Sequence, residues 1–250
     1  MKLGAQFYSI RDKATTPEDL RKSFAEMKKI GYDVAQMSGI CKIEAERLRD
    51  YSNEYSLPIV CTHNAFDRIV NDTDALISEH KIYRCPVIGI GSMPQEYQGS
   101  LEGLRKFLSE IKTPVKKIKD AGLTFAYHNH AFEFKADKGA LIYDVMIEEA
   151  PDINFILDTY WVKYAGYSAL EYINKIGKAR MNNVHLKDML TEPQGPICPC
   201  GTGITDFKPI VDLCERLGIE NALVEQDNAP DSGDSHGQMA ISYSNLKHLF

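Results

Sequence analysis

Eight short apolar runs, each followed by a helix-length segment, recur along the 250 residues, and no other feature narrows the possible folds as much. The runs are Leu3–Tyr8, Val34–Met37, Pro58–Thr62, Val87–Ile90, Leu123–Tyr127, Asn154–Leu157, Asn183–Leu186 and Ala222–Glu225. After the first, Thr16 reads as an N-cap, Pro17 as the first helical residue, and Leu20, Phe24, Met27 and Ile30 as one apolar face. Gly31 is placed to end that helix. Helical segments are expected over 43–56, 73–83, 101–120, 138–149, 168–177, 206–217 and 240–249. Eight strand–helix units in a chain of this length predict a TIM (β/α)8 barrel, an α/β fold. The competing doubly wound sheet calls for a glycine-rich phosphate turn after the first strand, and none follows Tyr8. No linker or low-complexity tract interrupts the beat, so one domain over 1–250 is expected.

Composition excludes several function classes. A formal net charge of −6 and the absence of a Lys/Arg block argue against a nucleic-acid partner. No apolar run approaches the roughly 18 residues of a membrane span, and the N-terminus turns polar too soon for a signal peptide. The expectation is a cytoplasmic protein. The six cysteines are scattered, and Cys198-Pro199-Cys200 lacks the second Cys or His pair that a zinc site needs. Cys61 and Cys85 read as small buried apolar residues on strands.

The chemistry is expected at the strand ends, because TIM-barrel sites form at the carboxyl ends of the strands. Side chains alternate along a strand, so His128 and His130 leave the fifth strand on the same face, with Glu133 just beyond. Two imidazoles there are costly to bury without a metal ion or polar ligand as partner. Strand one ends in Gln6 and Tyr8, and strand three in His63 and Asn64. Strand six delivers Asp158, with Trp161 one turn on. Strand seven delivers His185, Lys187 and Asp188, and strand eight Glu225 and Asp227. Carboxylates and imidazoles converging from strands five to eight suit a divalent cation such as Mn²⁺, Co²⁺, Zn²⁺ or Mg²⁺.

Several of these segments together resemble the sugar phosphate isomerase/epimerase family of xylose isomerase-like TIM barrels. Inosose dehydratase and endonuclease IV are its distant relatives. The segments are Gln6-Phe7-Tyr8-Ser9, Tyr127-His128-Asn129-His130 with Glu133-Phe134, and Leu157-Asp158-Thr159-Tyr160-Trp161. They continue with Val184-His185-Leu186-Lys187-Asp188, Gly201-Thr202-Gly203 with Asp206-Phe207, and Val224-Glu225-Gln226-Asp227. They follow the family's order and span nearly the whole chain.

The resemblance implies one divalent metal ion held by a ligand each from strands five to eight. Carried over by position, these are Asp158, His185 and Glu225, with His128 as the fourth and Glu133 as its alternative. The family usually carries a glutamate at the strand-five position. A histidine lowers the site's negative charge by one and removes one of the two acids of a two-base epimerisation. Trp161 stands where several keto-sugar epimerases carry a histidine, and its ring would stack on a sugar's apolar face. Thr202 replaces an expected acid.

The function this implies is proton abstraction next to a carbonyl of a sugar or keto-sugar. An enediolate would form and close to an isomer or epimer, with dehydration or β-elimination from a keto-sugar, keto-glycoside or keto-inositol as the alternative. Glu133, His130 and Glu225 are the candidate bases, and Lys187 is placed to neutralise an oxyanion. Gln6, Tyr8, His63, Asn64 and Trp161 are candidate substrate contacts. A small carbohydrate is the expected partner, and relatives often form homodimers. Phosphodiester cleavage would need more histidines and a basic face.

Overall fold

The computed structural model describes residues 1–250. The apolar runs form β1 (Lys2–Gln6), β2 (Val34–Met37), β3 (Ile59–His63), β4 (Val87–Ile90), β5 (Thr124–His128), β6 (Asn154–Asp158), β7 (Asn183–Leu186) and β8 (Asn221–Val224). Each pairs in parallel with the next, and β8 returns to β1, closing the barrel. Most of their residues are buried, as expected of strands with a lumen on one face and helices on the other. The fold is the expected single-domain TIM barrel.

Ten helices surround the strands: α1 (Pro17–Ile30), α2 (Ala45–Glu54), α3 (Phe66–Asn71), α4 (Thr73–Ile82), α5 (Leu101–Asp120), α6 (Ile142–Glu149), α7 (Thr159–Tyr164), α8 (Ala169–Ile176), α9 (Lys208–Leu217) and α10 (Ser235–Leu246). α1 forms as its sequence dictates. The Thr16 hydroxyl accepts the Asp19 N–H, Pro17 opens the helix, and Leu20, Phe24 and Met27 are fully buried against the barrel. α5 buries Leu104, Phe107, Ile111, Val115 and Ile118, a stripe at helical spacing.

Several expectations are corrected. β1 stops at Gln6, and Tyr8 sits exposed in a 3-10 turn spanning Phe7–Lys13. Cys61 lies on β3, but Cys85 is buried just ahead of β4. A short hairpin pairs Ala136–Asp137 with Ala140–Leu141 and delays α6 to Ile142. The last helix comes earlier than the expected 240–249: a 3-10 turn covers Ala229–Ser232, and α10 starts at Ser235 on an Asp234 cap. No helix is long and apolar enough to cross a membrane.

Candidate active site

The site follows from strand parity. Cys61, Val87, Ala126 and Ile156, from four adjacent strands, pack into a small apolar cluster apart from the main core. Two residues further along three of these strands, on the same face, stand His63, His128 and Asp158. The lumen therefore changes from apolar to polar within one strand step. His185 of β7 reaches Gln36 of β2 at 2.8 Å. Two strands separate β7 from β2 around the barrel, so this bond crosses the lumen.

Both imidazoles are oriented by carbonyl oxygens. His128 Nδ1 donates to the Gly91 carbonyl at 2.9 Å, and His185 Nε2 donates to Gln36 Oε1. Each ring thus turns its other nitrogen inward, a lone pair whenever the ring is neutral. His128 Nε2 lies 3.2 Å from Asp158 Oδ2 and 3.7 Å from Glu225 Oε2. His185 Nδ1 lies 3.0 Å from Glu225 Oε2 and 4.0 Å from Asp158 Oδ2. One ligand atom from each of these four buried residues falls within 4.8 Å of the others. An ion with bonds of about 2.0–2.2 Å gathers ligand atoms to within about 4.4 Å, so a slight contraction completes the fit. Two imidazoles and two carboxylates match the donor preference of a first-row divalent metal.

Glycines make room for this arrangement. A Cβ at Gly89 would strike the Thr62 carbonyl, and one at Gly91 would come within 3.0 Å of His63 Nδ1. Asp158 has two tasks at once. Its Oδ1 accepts the N–H groups of Tyr160 and Trp161 and caps α7, while Oδ2 faces the cluster. The Asp158 N–H is itself held by Asn129 Oδ1 at 3.0 Å.

Charge is concentrated here. The Lys187 ammonium is only 1% exposed and sits 2.7 Å from Asp227 Oδ2, 3.3 Å from Glu225 Oε2 and 3.6 Å from Asp158 Oδ2. Burial alone would strip its proton, but Glu225, Asp158 and Asp227 raise its pKa above the ordinary lysine range. Against the opposing pull of burial, Lys187 and His185 hold the Glu225 carboxyl well below the usual carboxylate range. Burial raises Asp227, and the neighbouring Glu225 adds to that. Burial keeps His185 neutral, whereas His128 is pulled up by its contact with Asp158 despite burial.

Above the cluster opens a cavity of about 370 Å³. Tyr8, His63, Asn64, His128, His130, Lys187, Glu225 and Asp227 are on its wall. Gln6 is fully buried below, its Oε1 accepting the Tyr8 N–H. Trp161 stands behind the wall, 5.1 Å from the His130 ring, with Lys187 Nζ 5.1 Å above its own ring. Burial brings His130 down to about 3, leaving a neutral ring at physiological pH. Glu133 is fully buried away from the cavity: Oε1 accepts the Tyr127 hydroxyl at 2.6 Å and Oε2 the His130 N–H at 2.8 Å. Burial raises its pKa to about 7. Asp188 accepts four backbone N–H groups and faces the Gly201–Thr205 loop instead of the cavity. A larger groove, about 850 Å³, runs along the outer face of α5 beside the start of β6, far from the strand ends.

Sequence reasoning passed over Gln36 and Gly91. A glutamine inside the apolar run Val34–Met37 was the available signal for the first, since a buried amide needs a partner. Nothing local marks the Gly91 carbonyl.

Known proteins place the same architecture in context. A search of curated protein sequences finds no match. Among solved structures, a sugar phosphate isomerase/epimerase from Parabacteroides distasonis superposes with a TM-score of 0.78 at 21% identity, over 99% of this chain and 98% of that one. D-allulose 3-epimerase from Methylomonas sp. gives 0.73 at 14% identity, over 100% and 98%. The IolI protein with a bound zinc atom gives 0.74 at 13% identity, over 100% and 98%. At these identities the likeness concerns the fold. Membership rests instead on the sequence model for the xylose isomerase-like TIM barrel, which matches residues 24–239 and so takes in seven of the eight strands. The chain belongs to that family.

Proposed function

We propose that the protein is a divalent-metal-dependent isomerase of a sugar or keto-sugar, acting through an enediolate formed by removing the proton next to a carbonyl. One observation carries this reading: two imidazole nitrogens and two carboxylate oxygens, all buried, face one another beneath a polar cavity. Four acceptors so arranged call for a cation. A Mn²⁺, Co²⁺ or Zn²⁺ ion held by His128, Asp158, His185 and Glu225 would supply Lewis-acid polarisation of the substrate carbonyl.

The acid–base work falls to the wall residues. Glu225 and Asp227 are both bonded to Lys187, so a substrate proton taken by this trio is returned from the same side. Return to the neighbouring carbon is isomerisation. Two-base epimerisation needs a second acid on the opposite wall, and Glu133 is committed to Tyr127 and the His130 N–H. The Lys187 ammonium offsets charge developing on the substrate oxygens. That ammonium also favours a second reading, in which it protonates a leaving β-substituent and the outcome is elimination.

Metal content after Mn²⁺ loading tests the proposal, together with isomerisation of a keto-sugar panel. Wild type is expected to hold a stoichiometric ion, Glu133→Ala to keep it, and His128→Ala to lose it along with turnover. Equal retention by the His128 variant, or none in wild type, would overturn the assignment.

A further inference from the structure

Beside the catalytic cavity lies a second chamber of about 240 Å³, and the two share Ser38, His63, Asn64 and Ala65 as a common wall. The chamber sits behind the β2–α2 connection. Met37, Ile40, Ile43, Ala45 and Leu48 make one side apolar. The opposite side carries Arg68 and Glu79, but the Arg68 guanidinium is already satisfied. It reaches Glu79 through both terminal nitrogens, at 2.9 and 3.3 Å, and Asp72 at 3.4 Å. An anionic group entering here would have to break that pairing and face two carboxylates. The chamber therefore offers phosphate no free cation, and its one apolar side, from Met37 to Leu48, is left to take apolar surface.

The shared wall is built for a polar ligand that continues past it. His63 Nε2 is buried without a partner on the wall of both spaces. Asn64 is set from behind by a directional chain. His80 Nδ1 is 2.7 Å from the Leu76 carbonyl and donates to it, which leaves Nε2 to accept the Thr62 hydroxyl at 2.8 Å. The Thr62 oxygen then accepts Asn64 Nδ2 at 2.7 Å. With its other amide hydrogen reaching the Gly89 carbonyl at 3.4 Å, Asn64 offers Oδ1 as an acceptor. The junction thus presents a fixed acceptor with an unpartnered imidazole nitrogen just beneath the surface, and beyond it one side is apolar.

We infer that this chamber is a substrate subsite for an apolar substituent, an alkyl or aryl group joined through oxygen to the sugar ring, so that the preferred substrate is a keto-glycoside or keto-sugar ether and not a sugar phosphate. The inference rests on reading the cavity as a sugar site. It also bears on the eliminating alternative, since such a substituent is a ready leaving group.

Calorimetric titration of the Mn²⁺-loaded protein tests it with matched methyl and phenyl pairs of 3-keto-gluco-, 3-keto-galacto- and 3-keto-xylopyranosides, beside glucose 6-phosphate. At least one phenyl glycoside is expected to bind about tenfold or more tighter than its methyl partner, and the phosphate ester more weakly than either. Filling the chamber with Ile43→Trp is expected to abolish the phenyl-over-methyl ratio. Ala45→Met, a milder filling, is expected to reduce it, each ratio being internal to one protein. Equal methyl and phenyl binding in every pair would overturn the subsite while leaving the sugar reading intact. Tightest binding of the phosphate ester, or a ratio unchanged in both variants, would likewise overturn it. No binding of any of these ligands would remove the subsite and the sugar reading together.

Discussion

Gln36 has no chemistry of its own, yet it decides which nitrogen His185 turns to the cluster. Replacing it by leucine leaves the His185 Nε2–H without an acceptor inside the barrel and frees the ring to rotate or change tautomer. Loss of such an outer partner typically weakens metal binding about 10–100-fold, and Gln36→Leu should do so in a Co²⁺ titration. An unchanged Kd would mean that the ring is held by packing alone. His80 gives a pH test remote from the cluster. Burial holds its pKa down to about 4, against the ordinary ~6.5 of an unfolded chain. The unfolded chain takes up the proton first, so His80's contribution is complete above about pH 6.5. It declines as pH falls through 4, by roughly 3 kcal/mol in all, about 2 of it between pH 7 and pH 4.5. Urea unfolding at pH 7 and pH 4.5 should show wild type losing that much more stability than His80→Gln. Parallel losses in the two proteins would contradict the assignment.

At the scale of elements, Asp188 organises the connection from β7 to α9. Its carboxylate accepts the N–H groups of Met189, Gly201, Gly203 and Thr205, and a Cβ at Gly203 would run into the Met189 carbonyl and the Asp188 side chain. Asp188→Ala removes the acceptor of four donors, one buried and three part-buried, and should cost about 2–4 kcal/mol in urea unfolding. Amide exchange at Gly201 and Gly203 should rise sharply, and a loss below about 1 kcal/mol would show that the loop is held otherwise. Asp188 was legible only as a polar residue past a strand, because its partners lie 13 to 17 residues away. The same limit explains which elements were missed. α3 and α7 have six residues each, too few to display a helical period. α7 also begins on the residue after β6, with Asp158 serving as strand end and cap together. The eight strands and the long helices were readable because each carries its own periodicity, as α5 shows over 20 residues.

At the scale of the whole molecule, parity made the site readable. Once eight parallel strands close, residues two apart along a strand share the lumen, and His128, Asp158, His185 and Glu225 meet without any local signal linking them. What could not be read was contact across the lumen, such as that of Gln36 with His185, 149 residues apart. The cluster gathers groups from β5, from β6 and β7, and from just beyond β8, so an ion there should tie half the barrel together. By linkage, a ligand at about 100 times its Kd stabilises the folded state by roughly 2.7 kcal/mol. For a chain of this size that corresponds to a rise in Tm of about 5–10 °C. Scanning calorimetry is expected to show one transition that moves up with excess Mn²⁺ or Co²⁺ and returns with a chelator. His128→Ala should show a much smaller shift at the same metal concentration, since one of four ligands is gone. A wild-type transition indifferent to both metal and chelator would mean that Lys187 is the cation this cluster is built to hold.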